Sequence, residues 1–179
     1  MKNILVLYCH PWPHKSRYNR RLLNAARKVK GVQCRDLYEL YPTLHVNEEA
    51  EQLALTQADV VVFLFPIYWF SAPALLKEWT DVVLQTGFAF GEGGTALEGK
   101  QLLLAASTGG AEQSYAPGGQ HGADISAFLL PFEMTFKFCG MELLAPFVTF
   151  DVRSMDNDAI KKRATVFAER LSKLAGEIA

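Results

Sequence analysis

The 179-residue chain has few cysteines, almost no net charge and no long apolar run. Its three cysteines, Cys9, Cys34 and Cys139, are odd in number and lie among apolar residues, so we expect reduced, structural thiols. A formal net charge of −1 provides no basic footprint for nucleic acid and no polybasic run for anionic lipid. No apolar segment is long enough to cross a bilayer, and no leader of signal type precedes the first strand pattern. We therefore expect a cytoplasmic protein without a nucleic-acid partner.

Several ligand-binding motifs are also missing. No Gly-x-Gly-x-x-Gly follows the first apolar segment, which argues against a dinucleotide fold of Rossmann type, and there is no Gly-Lys-Ser/Thr of a phosphate-transfer loop. No Gly-x-Ser-x-Gly elbow of a hydrolase is present. His10 and His14 are separated by Pro-Trp-Pro and have no paired carboxylates or cysteines beside them. We therefore expect no metal site.

The patterns that are present are typical of an α/β protein. With 50% hydrophobic and 21% charged residues, the chain can form one core, and we expect a single domain over residues 1–179. Residues 3–9 form a short, uniformly apolar segment, typical of a strand buried on both faces, and further strands are predicted at residues 32–37, 59–66, 101–106 and 143–150.

Helical patterns separate these segments. The first ends at Gly31 and another, over residues 125–139, ends at Gly140. Asn47 can cap a helix that begins with Glu48 and Glu49, and Ser71 is the expected cap of the next helix, with Pro73 in its first turn. The last helix has apolar residues at helical spacing: Ile160, Ala164, Phe167, Leu171, Leu174 and Ile178. Residues 87–99 are glycine-rich and predict an ordered loop or small hairpin.

Five buried strands alternating with helices predict a doubly wound parallel sheet with helices on both faces. Right-handed crossovers favour the flavodoxin-like strand order 2-1-3-4-5. In that order, the loops after the first, third and fourth strands meet at the carboxyl edge of the sheet, where such folds bind ligands.

The first of these loops leads into a helix whose free N–H groups and dipole suit a single phosphate. The helix start spans Ser16, Arg17, Tyr18 and Asn19, of which Ser16 and Asn19 can add side-chain donors. The same segment also fits a simple N-cap, and the residues alone favour neither interpretation.

The second loop places three aromatic residues in a row after the strand that ends at Pro66. Ile67, Tyr68, Trp69 and Phe70 follow it, and three adjacent rings cannot all point into the core. Some ring surface should therefore face the crevice, where it would match a flat heteroaromatic ring such as isoalloxazine.

The third loop allows close approach of a ligand to the backbone. It contains Ser107, Thr108, Gly109 and Gly110. Tyr115 and His121 follow as a phenol and an imidazole that can donate a proton or hydrogen bond. Taken singly, either residue is more typical of packing or of a surface than of catalysis.

Taken together, these motifs resemble the NAD(P)H:quinone oxidoreductases of flavodoxin-like fold. Within them, the chain is most similar to the short bacterial branch that includes ancillary flavoproteins of the glutathione-gated Kef potassium-efflux systems. The similarity runs nearly end to end, through His10-Pro11, residues 66–79, 87–97 and 107–110, Tyr115, His121, Pro131-Phe132 and Phe138-Cys139-Gly140.

The resemblance implies a role for each loop. His10 and residues 16–19 would hold the phosphate side of a flavin, residues 66–70 and 107–110 would line its isoalloxazine, and Tyr115 and His121 would assist hydride transfer. The chain lacks the extra C-terminal segment of the larger FAD-binding members, so FMN is expected, with FAD as the alternative. The resemblance also implies a homodimer with the active site at its interface, to which residues 88–90 and the aromatic residues near Tyr115 would contribute.

The expected activity is therefore two-electron, ping-pong hydride transfer from NAD(P)H to a quinone-like acceptor, with the flavin supplying the chemistry. Two alternatives remain open at this point. One is an electron carrier of flavodoxin type, although such carriers are usually strongly acidic. The other is a regulatory subunit of a membrane potassium-efflux protein, which would make the chain peripheral at the inner membrane through that partner.

Overall fold

The computed structural model describes residues 1–176 and contains one parallel sheet. Its strands are β1 (Ile4–Tyr8), β2 (Val32–Asp36), β3 (Val60–Pro66), β4 (Gln101–Ser107), β5 (Glu142–Leu143) and β6 (Phe147–Thr149). The order is β2-β1-β3-β4-β5, with β6 also paired to β4. The predicted order is therefore confirmed.

The fifth predicted strand is the exception, because it is not continuous. Its first part, β5, pairs with the start of β4 through Glu142 and Leu143, whereas β6 pairs with the end of β4 from Phe147 onward. Pro146 lies between the two parts and has no N–H to donate to a ladder. The prediction of one strand over residues 143–150 was wrong in this respect.

Helices cover both faces of the sheet. They are α1 (Tyr18–Ala26), α2 (Leu37–Leu40), α3 (Glu48–Gln57), α4 (Ala74–Val83), α5 (Ile125–Phe138) and α6 (Asn157–Ala175). Alternate residues of β1 face opposite layers: Leu5 and Leu7 pack toward α3, α4 and α5, and Ile4 and Val6 pack toward α1 and α6. The apolar spacing predicted for the last helix places Ile160 and Phe167 in this second core. Ile178, the last residue of that pattern, lies outside the described residues.

The helix caps follow the sequence in one case and depart from it in another. The side chain of Asn47 accepts a hydrogen bond from the N–H of Ala50 at 3.0 Å, as predicted. Ser71 does not cap α4: it exchanges backbone hydrogen bonds with Tyr68 in a tight turn, and Pro73 occupies the cap position. The second strand ends one residue earlier than predicted, because Asp36 caps α2 by accepting from the N–H of Glu39 at 3.3 Å.

A fully buried carboxylate joins the helices on one face of the sheet. Glu51 Oε1 accepts hydrogen bonds from Arg35 Nη2 at 2.5 Å and from the Tyr41 hydroxyl at 2.5 Å. Glu51 Oε2 accepts from Trp79 Nε1 at 2.9 Å. Each carboxylate oxygen therefore has a donor, as a buried charge requires. Nothing in the sequence indicated this network.

The glycine-rich loop and the three cysteines are as the sequence predicted. Residues 87–99 form an ordered loop, and Cys9, Cys34 and Cys139 are all free. None of the helices in residues 1–176 combines the length and the apolarity that a membrane span requires.

Candidate functional site

The three predicted loops meet at the carboxyl edge of β1, β3 and β4. The sheet hydrogen-bonding pattern continues into them: the N–H of Cys9 donates to the carbonyl of Leu64 at 2.9 Å, and that of Ile67 donates to the carbonyl of Ser107 at 2.8 Å. The loop starts are therefore fixed by the sheet, and the residues beyond them surround two adjoining cavities.

The first, which we call the polar cavity, has a volume of about 290 Å³. It is lined by most of the predicted cofactor residues: His10, Ser16, Arg17, Tyr18, Asn19, Pro66, Ile67, Tyr68, Ser107, Thr108 and Gly109. The second, the aromatic cavity, has a volume of about 520 Å³. It is lined by the remaining predicted residues, Trp69, Phe70, Gly110, Tyr115 and His121, and shares Ile67, Tyr68 and Gly109 with the first.

His10 is a neutral hydrogen-bond donor at the wall of the polar cavity. Its Nδ1 accepts the N–H of Trp12 at 3.1 Å, so its proton resides on Nε2. Burial lowers the pKa of His10 to about 4, because desolvation disfavours the charged imidazolium. At neutral pH, the residue can therefore offer a neutral Nε2–H to a ligand.

The N-terminus of α1 is only partly satisfied by a side chain. Ser16, one residue before the cap position of Arg17, accepts through Oγ from the N–H of Arg20 at 3.2 Å. Within residues 1–176, the N–H groups of Tyr18 and Asn19 have no acceptor. Both groups are thus available to an anion at the positive end of the helix dipole.

Asn19 carries an unpaired buried oxygen next to these groups. Its Nδ2 donates to Ser107 Oγ at 2.9 Å, but its Oδ1 has no partner among the described residues. Such an atom costs about 1–3 kcal/mol when it stays unsatisfied. It therefore points to a ligand that carries a hydroxyl or N–H donor.

Two of the predicted polar residues direct their side chains away from the cavity. The Tyr18 hydroxyl donates to Thr149 Oγ1 at 2.6 Å, and Arg17 Nη2 donates to the carbonyl of Met155 at 3.3 Å. The side chain of Tyr18 therefore ties α1 to β6, and its backbone N–H is the part that a ligand can reach.

The aromatic loop has the exposed rings that the sequence predicted. Trp69 is 94% exposed and Phe70 is 49% exposed. Both have positive φ angles, 48° and 64°, which are unusual for large side chains. The tight turn between Tyr68 and Ser71 holds this conformation, and it places the Phe70 ring 5.4 Å from the ring of His121.

Tyr115 and His121 lie together at the end of the aromatic cavity. Their ring centroids are 4.6 Å apart. A Cβ atom at Gly110 would lie 3.3 Å from His121 Nε2 and 3.4 Å from Tyr115 Cε2, so a glycine lets both rings approach the loop closely. Neither side chain has a hydrogen-bond partner in the described part of the chain. Both polar groups are therefore free to meet a ligand.

Only some of the backbone N–H and carbonyl groups of the third loop are available to a ligand. The N–H of Thr108 donates to the carbonyl of Thr149 at 3.0 Å, and the carbonyl of Gly110 accepts from Asp151 at 2.9 Å. For the N–H groups of Gly109 and Gly110, the described residues provide no acceptor. These two groups can therefore address the polar edge of a ligand.

Five residues that line the cavities were not among the predicted site residues: Lys15 and Val152 in the polar cavity, Trp12 and Gln120 in the aromatic cavity, and Arg153 in both. Arg153 follows β6 and lines both cavities. Its charge opposes the effect of burial, which raises the pKa of Tyr68. The sequence signal was its position just beyond the last predicted strand, at the same edge of the sheet.

Comparison with known proteins places the chain in a family. Residues 2–171 match the family described as having a flavodoxin-like fold (Flavodoxin_2). The chain is 32% identical to general stress protein 14 from Treponema denticola, solved in complex with FMN, with a TM-score of 0.91 over 96% of this chain and 99% of that one. It is 30% identical to an NADPH-quinone reductase from P. pentosaceus, with a TM-score of 0.85 over 94% of this chain and 96% of that one.

A third similar structure has a different named activity. It is a thermophilic tryptophan halogenase from Streptomycin violaceusniger, 38% identical with a TM-score of 0.90 over 93% of this chain and 97% of that one. The family match and these similarities cover nearly the whole chain. The chain therefore belongs to the flavodoxin-like family that includes the NADPH-quinone reductases.

Proposed function

We propose that this protein is an FMN-dependent oxidoreductase that takes a hydride from NAD(P)H and delivers it to a quinone in a ping-pong cycle. The observation that carries the proposal is the adjacency of the two cavities. A cavity of anion and hydroxyl-binding groups adjoins one lined by aromatic rings and closed by Tyr115 and His121. The FMN complex and the quinone reductase among the similar structures agree with it.

The residues of the polar cavity fit FMN. The free N–H groups of Tyr18 and Asn19, together with Lys15 at the cavity wall, suit one phosphate. The unpaired Asn19 Oδ1 suits a ribityl hydroxyl. Bound there, the flavin would supply the ring that accepts and returns the hydride. FAD remains the alternative cofactor, with its additional nucleotide outside these groups.

The chain's own residues contribute to the reaction by donating hydrogen bonds and a proton to the negative charge that develops on the acceptor. When a quinone takes up a hydride, negative charge develops on its oxygen. The Tyr115 hydroxyl can donate a hydrogen bond to that oxygen, and His121 can supply the proton that neutralises it. Gly109 and Gly110 line the same cavity, and their N–H groups, which have no acceptor among the described residues, can donate to the same charge.

We also propose that the protein acts as a homodimer in which α5 forms the contact. Exposed apolar side chains lie along α5 and beside the aromatic cavity: Trp69, Phe70, Leu130, Met134 and Phe138. Phe138 is 74% exposed and packs against Phe90, with ring centroids 5.6 Å apart. A second copy of the chain would cover this surface and enclose the aromatic cavity.

The experiment that tests the proposed activity has two stages. The purified protein is denatured and any released flavin is identified by chromatography, and NAD(P)H oxidation is then followed with a quinone. We expect FMN near one equivalent and quinone-dependent turnover. Absence of flavin, with none taken up on reconstitution, would contradict the proposal.

Variants test the roles of the two catalytic candidates. We expect Tyr115→Phe and His121→Gln to retain FMN and to lower kcat about 10²-fold, the lower end of general acid–base contributions. His45→Gln is the matched control, since His45 is an exposed loop residue outside both cavities. Unchanged turnover in both site variants would remove Tyr115 and His121 from the mechanism.

A further inference from the structure

Arg153 is packed on the loop that separates the two cavities. A Cβ atom at Gly109 would lie 2.8 Å from Arg153 Nε and 3.1 Å from Arg153 Cζ. The φ angle of Gly109 is not positive, so the backbone conformation does not explain the glycine. The contact does: the missing side chain provides the space in which the guanidinium lies.

Among residues 1–176, this guanidinium has no anionic partner. The ion pairs of the described residues are Arg35 with Glu51 and Lys77 with Asp81. The nearby Asp151 carboxylate instead accepts from Ser154 Oγ at 2.9 Å. Arg153 therefore brings a positive charge and several N–H donors to the boundary of the site, and none of these donors is bonded to another described residue.

The position of Arg153 distinguishes it from the other cations of the site. Lys15 and Arg17 line only the polar cavity, where a phosphate would bind. Arg153 lines both cavities and packs against Gly109, which also lines both. Of these three cations, Arg153 therefore lies nearest the junction of the two cavities, where a bound ring would extend from one into the other.

We infer that Arg153 stabilises the negative charge that the bound flavin ring acquires on reduction, and that it thereby raises the midpoint potential of the cofactor. This inference rests on the proposed function. A hydride brings two electrons and one proton from NAD(P)H, leaves NAD(P)⁺, and adds one negative charge to the flavin. A guanidinium at the ring edge favours that charged state over the neutral oxidised one.

The test compares the affinity of each variant for oxidised and for reduced FMN, together with the midpoint potential of the holoprotein. For Arg153→Gln, we expect the affinity for reduced FMN to fall about tenfold more than that for oxidised FMN. This corresponds to a two-electron midpoint potential about 30 mV lower. Arg153→Lys keeps the charge and should retain most of the wild-type ratio between the affinities for reduced and oxidised FMN.

Lys15→Gln is the matched control, because Lys15 lines the polar cavity alone. This variant should lower the affinity for oxidised and for reduced FMN equally and leave the midpoint potential unchanged. An equal loss of affinity for both oxidation states in Arg153→Gln would make Arg153 a phosphate ligand and overturn the inference. No change in either affinity would also overturn it. If the wild-type protein takes up no FMN, the proposed function fails and the inference fails with it; if FMN binds normally but the potential does not move, only the inference fails.

Discussion

Acidification should destabilise the folded protein through His10. The pKa of this buried imidazole falls from its ordinary value of 6.5 to about 4, because the folded protein withholds water from the charged form. Between these two values, the unfolded chain binds a proton that the folded chain does not. The contribution of His10 is therefore fully present above pH 6.5 and is lost as the pH falls toward 4.

The magnitude follows from the two pKa values. His10 is only 6% exposed, so solvent screening does not reduce the effect substantially. Linkage gives a loss in the free energy of unfolding of about 2 kcal/mol at pH 5 and about 3 kcal/mol at pH 4, relative to neutral pH. Asp36 acts in the opposite direction, since burial raises the pKa of its carboxyl group, so only a difference between variants isolates His10.

The assay is urea unfolding of the wild type and His10→Asn at several pH values from 7 to 4. The asparagine oxygen can replace Nδ1 as acceptor for the N–H of Trp12 and does not titrate. We expect the stability of the wild type to fall more steeply than that of the variant by the amounts given above. His14→Asn, which alters an exposed histidine of the same loop, should follow the wild type. Parallel curves for wild type and His10→Asn would refute the reasoning.

Two further predictions concern the buried network and the dimer. Glu51→Gln should lower the free energy of unfolding by about 3 kcal/mol, the lower end for breaking a buried ion pair, because it leaves Arg35 and Trp79 with poorer acceptors; denaturant unfolding measures this, and a change below about 1 kcal/mol would contradict it. Phe138→Glu should convert a dimer to a monomer in sedimentation velocity, whereas Val166→Glu, at a 45% exposed position of α6, should not. Identical sedimentation of both variants would argue against α5 as the contact.

The sheet was predictable because its strands have a strong local pattern. Residues 60–66 are buried throughout, and a continuous apolar run is what a strand covered on both faces requires. Right-handed crossovers then restrict the order to very few choices. The site loops could be located for the same reason, since the carboxyl ends of parallel strands meet at one edge.

Features that depend on a partner distant in sequence were not predictable. Glu51 lies in the first turn of α3 beside Glu48 and Glu49, where an acidic residue is typical of a solvated helix start. Its burial depends on Arg35 from β2 and Trp79 from α4. No local pattern reveals that these three side chains meet.

The broken fifth strand shows how such a distant contact determines the site. Because the chain is interrupted at Pro146, β6 pairs with the last residues of β4, and Thr149 lies opposite Ser107. Thr149 then accepts the Tyr18 hydroxyl through Oγ1 and the N–H of Thr108 through its carbonyl. One residue thus fixes the start of α1 and the glycine loop, and it also determines which of their groups remain for a ligand. The chain that leaves Thr149 reaches Arg153 four residues later, so the same register brings this guanidinium to the boundary of the two cavities.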